Sequence, residues 1–202
     1  MWLFLATEIM FFGGMFCAYL IYRMWYFNEF AAGSRSLNLK WGTINTIVLI
    51  CSSLTVALGV RAAQMGKRKL LVILLILTIV FGLAFLGIKG IEWHEKYEHH
   101  HIPGASFDAT ALEKPPYSNG GIDPSHEQIY FSLYFAMTGL HALHMIIGVG
   151  IFAFLLFHAW KGRYTPQYNT PIEIGGLYWH FVDIVWIYLF PLLYLIDRKP
   201  LG

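Results

Sequence analysis

The chain has 202 residues, of which 57% are hydrophobic and only 13% charged, with a formal net charge of +2 and a mean hydropathy of +0.54. That is membrane composition. With a balance so near neutral and no basic stripe interleaved with aromatics, nucleic acid is excluded as a partner.

A bilayer core of roughly 30 Å needs about 20 mostly apolar residues in helical form. Five segments meet this, approximately 1–27, 41–66, 69–95, 127–160 and 172–197, so the expected fold is all-α, a polytopic five-transmembrane-helix bundle forming a single membrane domain over 1–202. The first segment lacks a basic leading region, carries Glu8 and runs past any small-residue cleavage site to Tyr22 and Arg23, so it is expected to stay in the mature protein. Its Glu8, Phe12, Met15 and Tyr19 form one helical stripe, and Glu8, with no basic residue before Arg23, needs a proton or a partner from another helix. Cys17 and Cys51, inside the first two segments, read as small buried hydrophobes rather than a disulfide.

Segments two and three are joined by "GKRK" (Gly66 to Lys69), too short for anything but a tight hairpin, and the later link "KGRYTPQYNTP" should lie on the same side. The positive-inside rule makes that side cytoplasmic, which puts the N-terminus inside and the C-terminus outside. The opposite side carries Arg35, Lys40, Lys96, Lys114, Arg198 and Lys199, spread among acids. The long 96–126 link is polar, rich in Pro and Gly, and reads as an external loop. Its His99, His100 and His101, with His94 and His126 nearby, lack defined ligand geometry and a supporting Cys or second-shell pattern, so they read as solvated loop rather than a metal site. Asp123 can cap the fourth segment, with Pro124 in its first helical position.

In segment four, His141, His144, Gly148, Ile151, Leu155 and His158 follow three- and four-residue steps and share one face. "TPIE" (Thr170 to Glu173) has the form of a capping box for segment five, which gives Glu173 a structural role. His180 and Asp183, three apart, are within reach of each other. Ionisable groups inside a membrane point to function, yet the same residues can serve as interhelical hydrogen-bond glue, and both readings stand. Counting about 1.5 Å per residue from the inner ends places His180 roughly 14 Å up and His144 roughly 24 Å up, so the two share no depth for a haem. Glu8, roughly 10 Å up on the same count, matches His180, and a Glu8–His180 contact between the first and fifth segments is expected.

"YFAMTGLHALHMIIG", followed after a basic hairpin by "YWHFVDIVWIYLFPLLYL", resembles the C-terminal signature of subunit III of the haem–copper oxidases, the family of cytochrome c oxidase. The resemblance extends back to "ATEIMFF" with its membrane Glu8, to "INT" with Asn45 and to "GIEWHE" with Glu92. It covers nearly the whole chain except the 96–127 link, which is longer than usual, and the five segments resemble the last five helices of seven-helix members. It implies an accessory, non-catalytic subunit of a proton-pumping terminal oxidase that reduces O2 to water in the bacterial plasma membrane. This chain would hold no haem or copper, which lie in partner subunits I and II. It would pack on subunit I, bind phospholipids and help sustain proton uptake, with subunit II, small subunits or a respiratory supercomplex as further partners. The candidate lipid-binding or intramembrane polar residues are Glu8, Asn45, Glu92, His141, His144, His158, Lys161, Trp179, His180 and Asp183. His158 and Lys161 match positions that contact lipid headgroups, with His158 standing where an arginine is familiar, and His180 and Asp183 would lock the fifth segment to its neighbours. The alternatives are subunit III of a quinol oxidase or nitric oxide reductase, or a stand-alone transporter, which would favour internal repeats that this sequence lacks.

The orientation is testable. With Cys17 and Cys51 removed, a cysteine placed in the "GKRK" hairpin should resist impermeant thiol reagents in intact cells, whereas Ser118→Cys should react; the reverse pattern would invert the topology.

Overall fold

The computed structural model describes residues 2–98 and 124–196. They form six helices: α1 (Trp2–Trp25), α2 (Phe27–Arg35), α3 (Leu39–Gln64), α4 (Arg68–Glu98), α5 (Pro124–Trp160) and α6 (Thr170–Tyr194). All but α2 are long and apolar enough to cross a membrane, and the only strand-like feature among the described residues is one bridge between Thr165 and Tyr168. The all-α multi-pass architecture is therefore as expected.

The short α2 is an element the sequence does not announce. Its nine residues, "FNEFAAGSR", mix apolar and polar types and carry no membrane-span signal, yet Phe30, Ala31, Ala32, Gly33 and Ser34 are all buried. It packs across α5, with Phe30 set edge-on to Tyr19 of α1 and Tyr130 of α5, at 5.2 and 5.3 Å between ring centroids. Those two tyrosines close the far end of α6: Tyr19 Oη donates to the Leu192 carbonyl at 2.8 Å and Tyr130 Oη to the Leu193 carbonyl at 3.0 Å. The last carbonyls of a helix have no partner within it, and in a membrane side chains must supply one.

Within the bundle α6 is the most buried span and α1 the least. α6 contacts α1, α2, α3 and α5, whereas α4 packs between α3 and α5. At 37 residues α5 runs about 55 Å, well beyond the roughly 30 Å of hydrocarbon. α3 and α5 end in the same way on left-handed glycines, Gly66 (φ 69°) and Gly162 (φ 74°). Lys67 N returns to the Ala62 carbonyl at 2.9 Å and Arg163 N to the His158 carbonyl at 3.1 Å, the six-to-one closure that lets the chain reverse sharply.

Several expectations at the helix ends need correction. Helix α6 begins at Thr170, so this residue lies inside the helix and forms no capping box; Pro171 falls in its first turn, where proline is favoured. Glu173 Oε1 instead accepts from Gln64 Nε2 of α3 at 2.8 Å. α5 begins at Pro124, so His126 is helical rather than in a loop, and it stacks on Tyr26 with 3.7 Å between centroids; His94 lies within α4, which extends to Glu98. His99, His100, His101 and Asp123 lie outside the described residues. Cys17 and Cys51 are free and exposed, not buried. The outward surface of a membrane helix is as apolar as its core, so burial of a thiol cannot be read from apolar neighbours.

A Cβ added at Gly33 would fall inside the van der Waals envelope of the Tyr130 ring. Gly33→Ala should therefore lower stability by about 1–3 kcal/mol through overpacking, measured as an earlier midpoint of detergent-induced unfolding. Helix propensity alone would favour alanine by about 1 kcal/mol, so an unchanged or later midpoint would refute the close packing of α2.

Candidate functional site

Two polar contacts organise the interior. In the first, Glu8 of α1 projects between α5 and α6, and its Oε2 lies 3.2 Å from His144 Nε2. The stripe Glu8, Phe12, Met15 and Tyr19 does face inward, with Phe12 and Tyr19 fully buried. The partner is His144, not His180. The depth match between Glu8 and His180 assumes flush inner ends, whereas the contact itself sets His144 level with Glu8. Phe12 closes this contact edge-on to the His144 ring at 5.6 Å, while His144 Nδ1 lies 2.9 Å from the Leu140 carbonyl.

Below this pair a cavity of about 950 Å³ opens between α1, α5 and α6, walled by residues such as Phe4, Ile147, Ile151, Leu155 and Ile174. It runs toward the α5–α6 hairpin, where a second hollow of about 450 Å³ shares Phe154, Tyr168 and Pro171 and adds His158, Arg163 and Tyr164. A long apolar channel thus ends at a cationic, hydrogen-bonding mouth. His158 lines that mouth, with its Nδ1 3.0 Å from the Phe154 carbonyl. Lys161 does not; its ammonium sits over the exposed Phe157 ring, 4.2 Å from the centroid. Arg163, not singled out in the sequence, takes the place at the mouth. Tyr164 beside it has its phenol pKa raised by burial and then by Tyr168, against the opposing Arg163 charge.

The second contact is only half legible in the sequence. Glu92 is 1% exposed and Lys89, one turn earlier on α4, is 2% exposed. Lys89 Nζ lies 3.1 Å from Glu92 Oε2 and donates to Tyr134 Oη at 3.0 Å and Tyr194 Oη at 2.7 Å. Tyr134 Oη in turn donates to Glu92 Oε1 at 2.8 Å, and Tyr194 Oη donates to the same oxygen. The ammonium also sits against the Trp186 ring, 5.1 Å from its centroid. The cluster joins α4, α5 and α6 and has its bonds made on both charges. Nothing in the sequence marks Lys89, because a lysine near the end of a span ordinarily snorkels to the surface.

The remaining candidates separate. His141 is wedged against Phe85 and Trp186, with centroids 5.4 and 5.1 Å away, and neither ring nitrogen has a hydrogen-bond partner among the described residues. Asn45 is likewise buried without a partner there. His141 and His144 share the inner face of α5 yet turn to different helices, so they do not form a ligand pair, and no group of three His, Cys, Asp or Glu side chains converges among the described residues. Trp179 is fully buried and donates Nε1–H to Ser52 Oγ at 3.0 Å. His180 Nδ1 lies 2.8 Å from Ser53 Oγ of α3, not from Asp183. Asp183 is 3% exposed, and neither of its oxygens has a hydrogen bond among the described residues.

The ion pair gives a clear test. Removing one partner of a buried pair costs about 3–5 kcal/mol, whereas replacing both with apolar groups costs far less. Lys89→Met and Glu92→Met should each be strongly destabilising and the double substitution much less than their sum, as measured by a double-mutant cycle on unfolding in mixed micelles; additive losses would exclude the coupling.

Residues 1–197 match the family described as Cytochrome c oxidase subunit III. A probable cytochrome c oxidase subunit 3 of Nocardia farcinica is 33% identical over 194 residues, covering 95% of this chain and 84% of the relative. Cytochrome c oxidase subunit 3 of Corynebacterium diphtheriae is 32% identical over 196 residues, covering 96% and 85%. That of Gallus gallus is 30% identical over 198 residues, covering 95% of this chain and 66% of the relative.

Proposed function

This chain belongs to the cytochrome c oxidase subunit III family, and from that premise we propose that it is the accessory subunit of a proton-pumping terminal oxidase that carries no redox centre itself and holds phospholipid against the catalytic subunits. The observation that carries the reading is the channel of about 950 Å³ between α1, α5 and α6, apolar along its length and ending beside His158 and Arg163. An acyl chain fits the apolar length, and an anionic headgroup fits the arginine, whose planar fork binds phosphate oxygens well. Lys161, exposed on the same hairpin, adds charge at the surface rather than in the pocket.

Glu8 and His144 close the deep end of the channel, so a bound chain terminates on a paired carboxyl and imidazole instead of an open polar group. Haem and copper belong to partner subunits in this reading, with subunit I as the main contact. The "GKRK" and "KGRYTPQYNTP" hairpins face the cytoplasm of a bacterial cell, which sets the headgroup in the inner leaflet. The names of the relatives favour cytochrome c over quinol as electron donor to the complex.

Deleting the chain from its complex should leave the haem absorbance bands and the initial rate of oxygen reduction largely intact, while activity decays faster during turnover. Loss of a haem band with subunits I and II still present would contradict the accessory role. For the channel, Arg163→Ala with His158→Ala should lower the anionic phospholipid retained by the purified complex, quantified by lipid mass spectrometry, and unchanged retention would move the lipid elsewhere.

A further inference from the structure

Asp183 stands apart from both polar contacts. It lies about 20 Å along α6 from Thr170 by the helical rise, deep within a hydrocarbon layer of roughly 30 Å, where lipid headgroups do not reach. Its carboxyl lines a hollow of about 270 Å³ between α3 and α6, walled otherwise by Ser53, His180 and the apolar Leu49, Ile50, Leu54, Ala57 and Ile187. A carboxyl presents two oxygens with about four acceptor positions. The nearby Ser53 hydroxyl has a single proton and lies 2.8 Å from His180 Nδ1, so it cannot serve both carboxyl oxygens.

One turn further along the same face lies a second acceptor. Pro191 is inside α6 and has no N–H, so it cannot return the usual hydrogen bond to the Ile187 carbonyl four residues earlier. Ile187, Ile50 and Leu54 are about half exposed, at 47, 54 and 61%, so the hollow opens sideways from the bundle and not into it. Acyl chains offer no donors, and an unmet polar group in hydrocarbon costs several kcal/mol.

We propose that this α3–α6 face, around Ser53, His180 and Asp183, is the interface with another membrane subunit, one of whose transmembrane helices places a hydrogen-bond-donating side chain against the Asp183 carboxyl. The proposal rests on membership of a multisubunit oxidase and adds which face does the docking. The hollow has the size of one side chain rather than of a lipid, and its need is for donors, which a helix bearing an arginine, lysine, asparagine, serine or threonine supplies.

A photoreactive amino acid at Leu54 or Ile187, tested in native membranes holding the whole complex, should give an adduct with another integral subunit. The same label at Ile73 or Val80 on the outward face of α4 should not. Asp183→Leu should lower the Leu54 adduct at least tenfold, while Asp183→Asn, which keeps an acceptor oxygen, should retain most of it. Adducts to lipid alone, to a second copy of this chain, or equally from the α4 positions would overturn the proposal, as would an undiminished adduct in Asp183→Leu. If Asp183→Leu also lowers the amount of chain in the membrane, the adducts formed with Asp183 in place still decide. Failure of the chain to co-purify with an oxidase would count against its proposed function, whereas co-purification with adducts elsewhere would count against this face alone.

Discussion

Hydrocarbon neither donates nor accepts hydrogen bonds, so a polar group within a membrane span must find its partner in protein. The packing of this chain follows from that constraint. Threonine and serine hydroxyls return to carbonyls of their own helices, as Thr46 does to Gly42 at 2.9 Å and Thr138 to Tyr134 at 2.7 Å. Other polar groups bridge helices: Trp179 to Ser52, Trp186 to Thr46 and Tyr178 to the His144 carbonyl. Each such bridge sets the rotation of one helix against its neighbour, a choice that apolar packing between Leu-rich surfaces leaves nearly free.

The same constraint separates the bundle into a rigid part and a loosely held one. The Lys89–Glu92–Tyr134–Tyr194 cluster and the tyrosine closure of α6 tie α4, α5 and α6 together, with Trp179 and Trp186 joining α3 to them. α1 is held mainly at two places, the Glu8–His144 contact near its start and Tyr19 near its end, and the channel occupies the gap beside it. The cavity exists because one helix stands off from a well-tied bundle.

Much of this is legible in the sequence. Hydropathy alone separates five spans from their links, because span length is set by bilayer thickness and not by neighbours. The inward stripe of α1 and the shared face of His141 and His144 follow from helical periodicity. What periodicity cannot supply is the partner across the gap. Depth pairs Glu8 with His180, but depth depends on where each helix starts, and His180 has Ser53 at its own level on α3. Lys89 is invisible because its partners come from residues 134 and 194, and α2 because nine residues of mixed polarity leave no signal until α5 is beside them. The capping box at Thr170 fails for a local reason: Pro171 fits the first turn and moves the helix start before the threonine.

Lys89 and its counter-charge lie on one helix, three residues apart, and this bears on the order in which the protein is made. Tyr194 follows Glu92 by 102 residues, which at about 5–20 residues per second is roughly 5–20 s of synthesis. When α4 enters the bilayer neither tyrosine has been made; Tyr134 follows Glu92 by 42 residues and Tyr194 by the full 102. A lysine whose only counter-ion sat on α6 would have to wait in lipid as an uncompensated charge. With Glu92 one turn away, α4 is electrically neutral at this point from the moment of insertion, and the later helices arrive to complete hydrogen bonds rather than to rescue a charge.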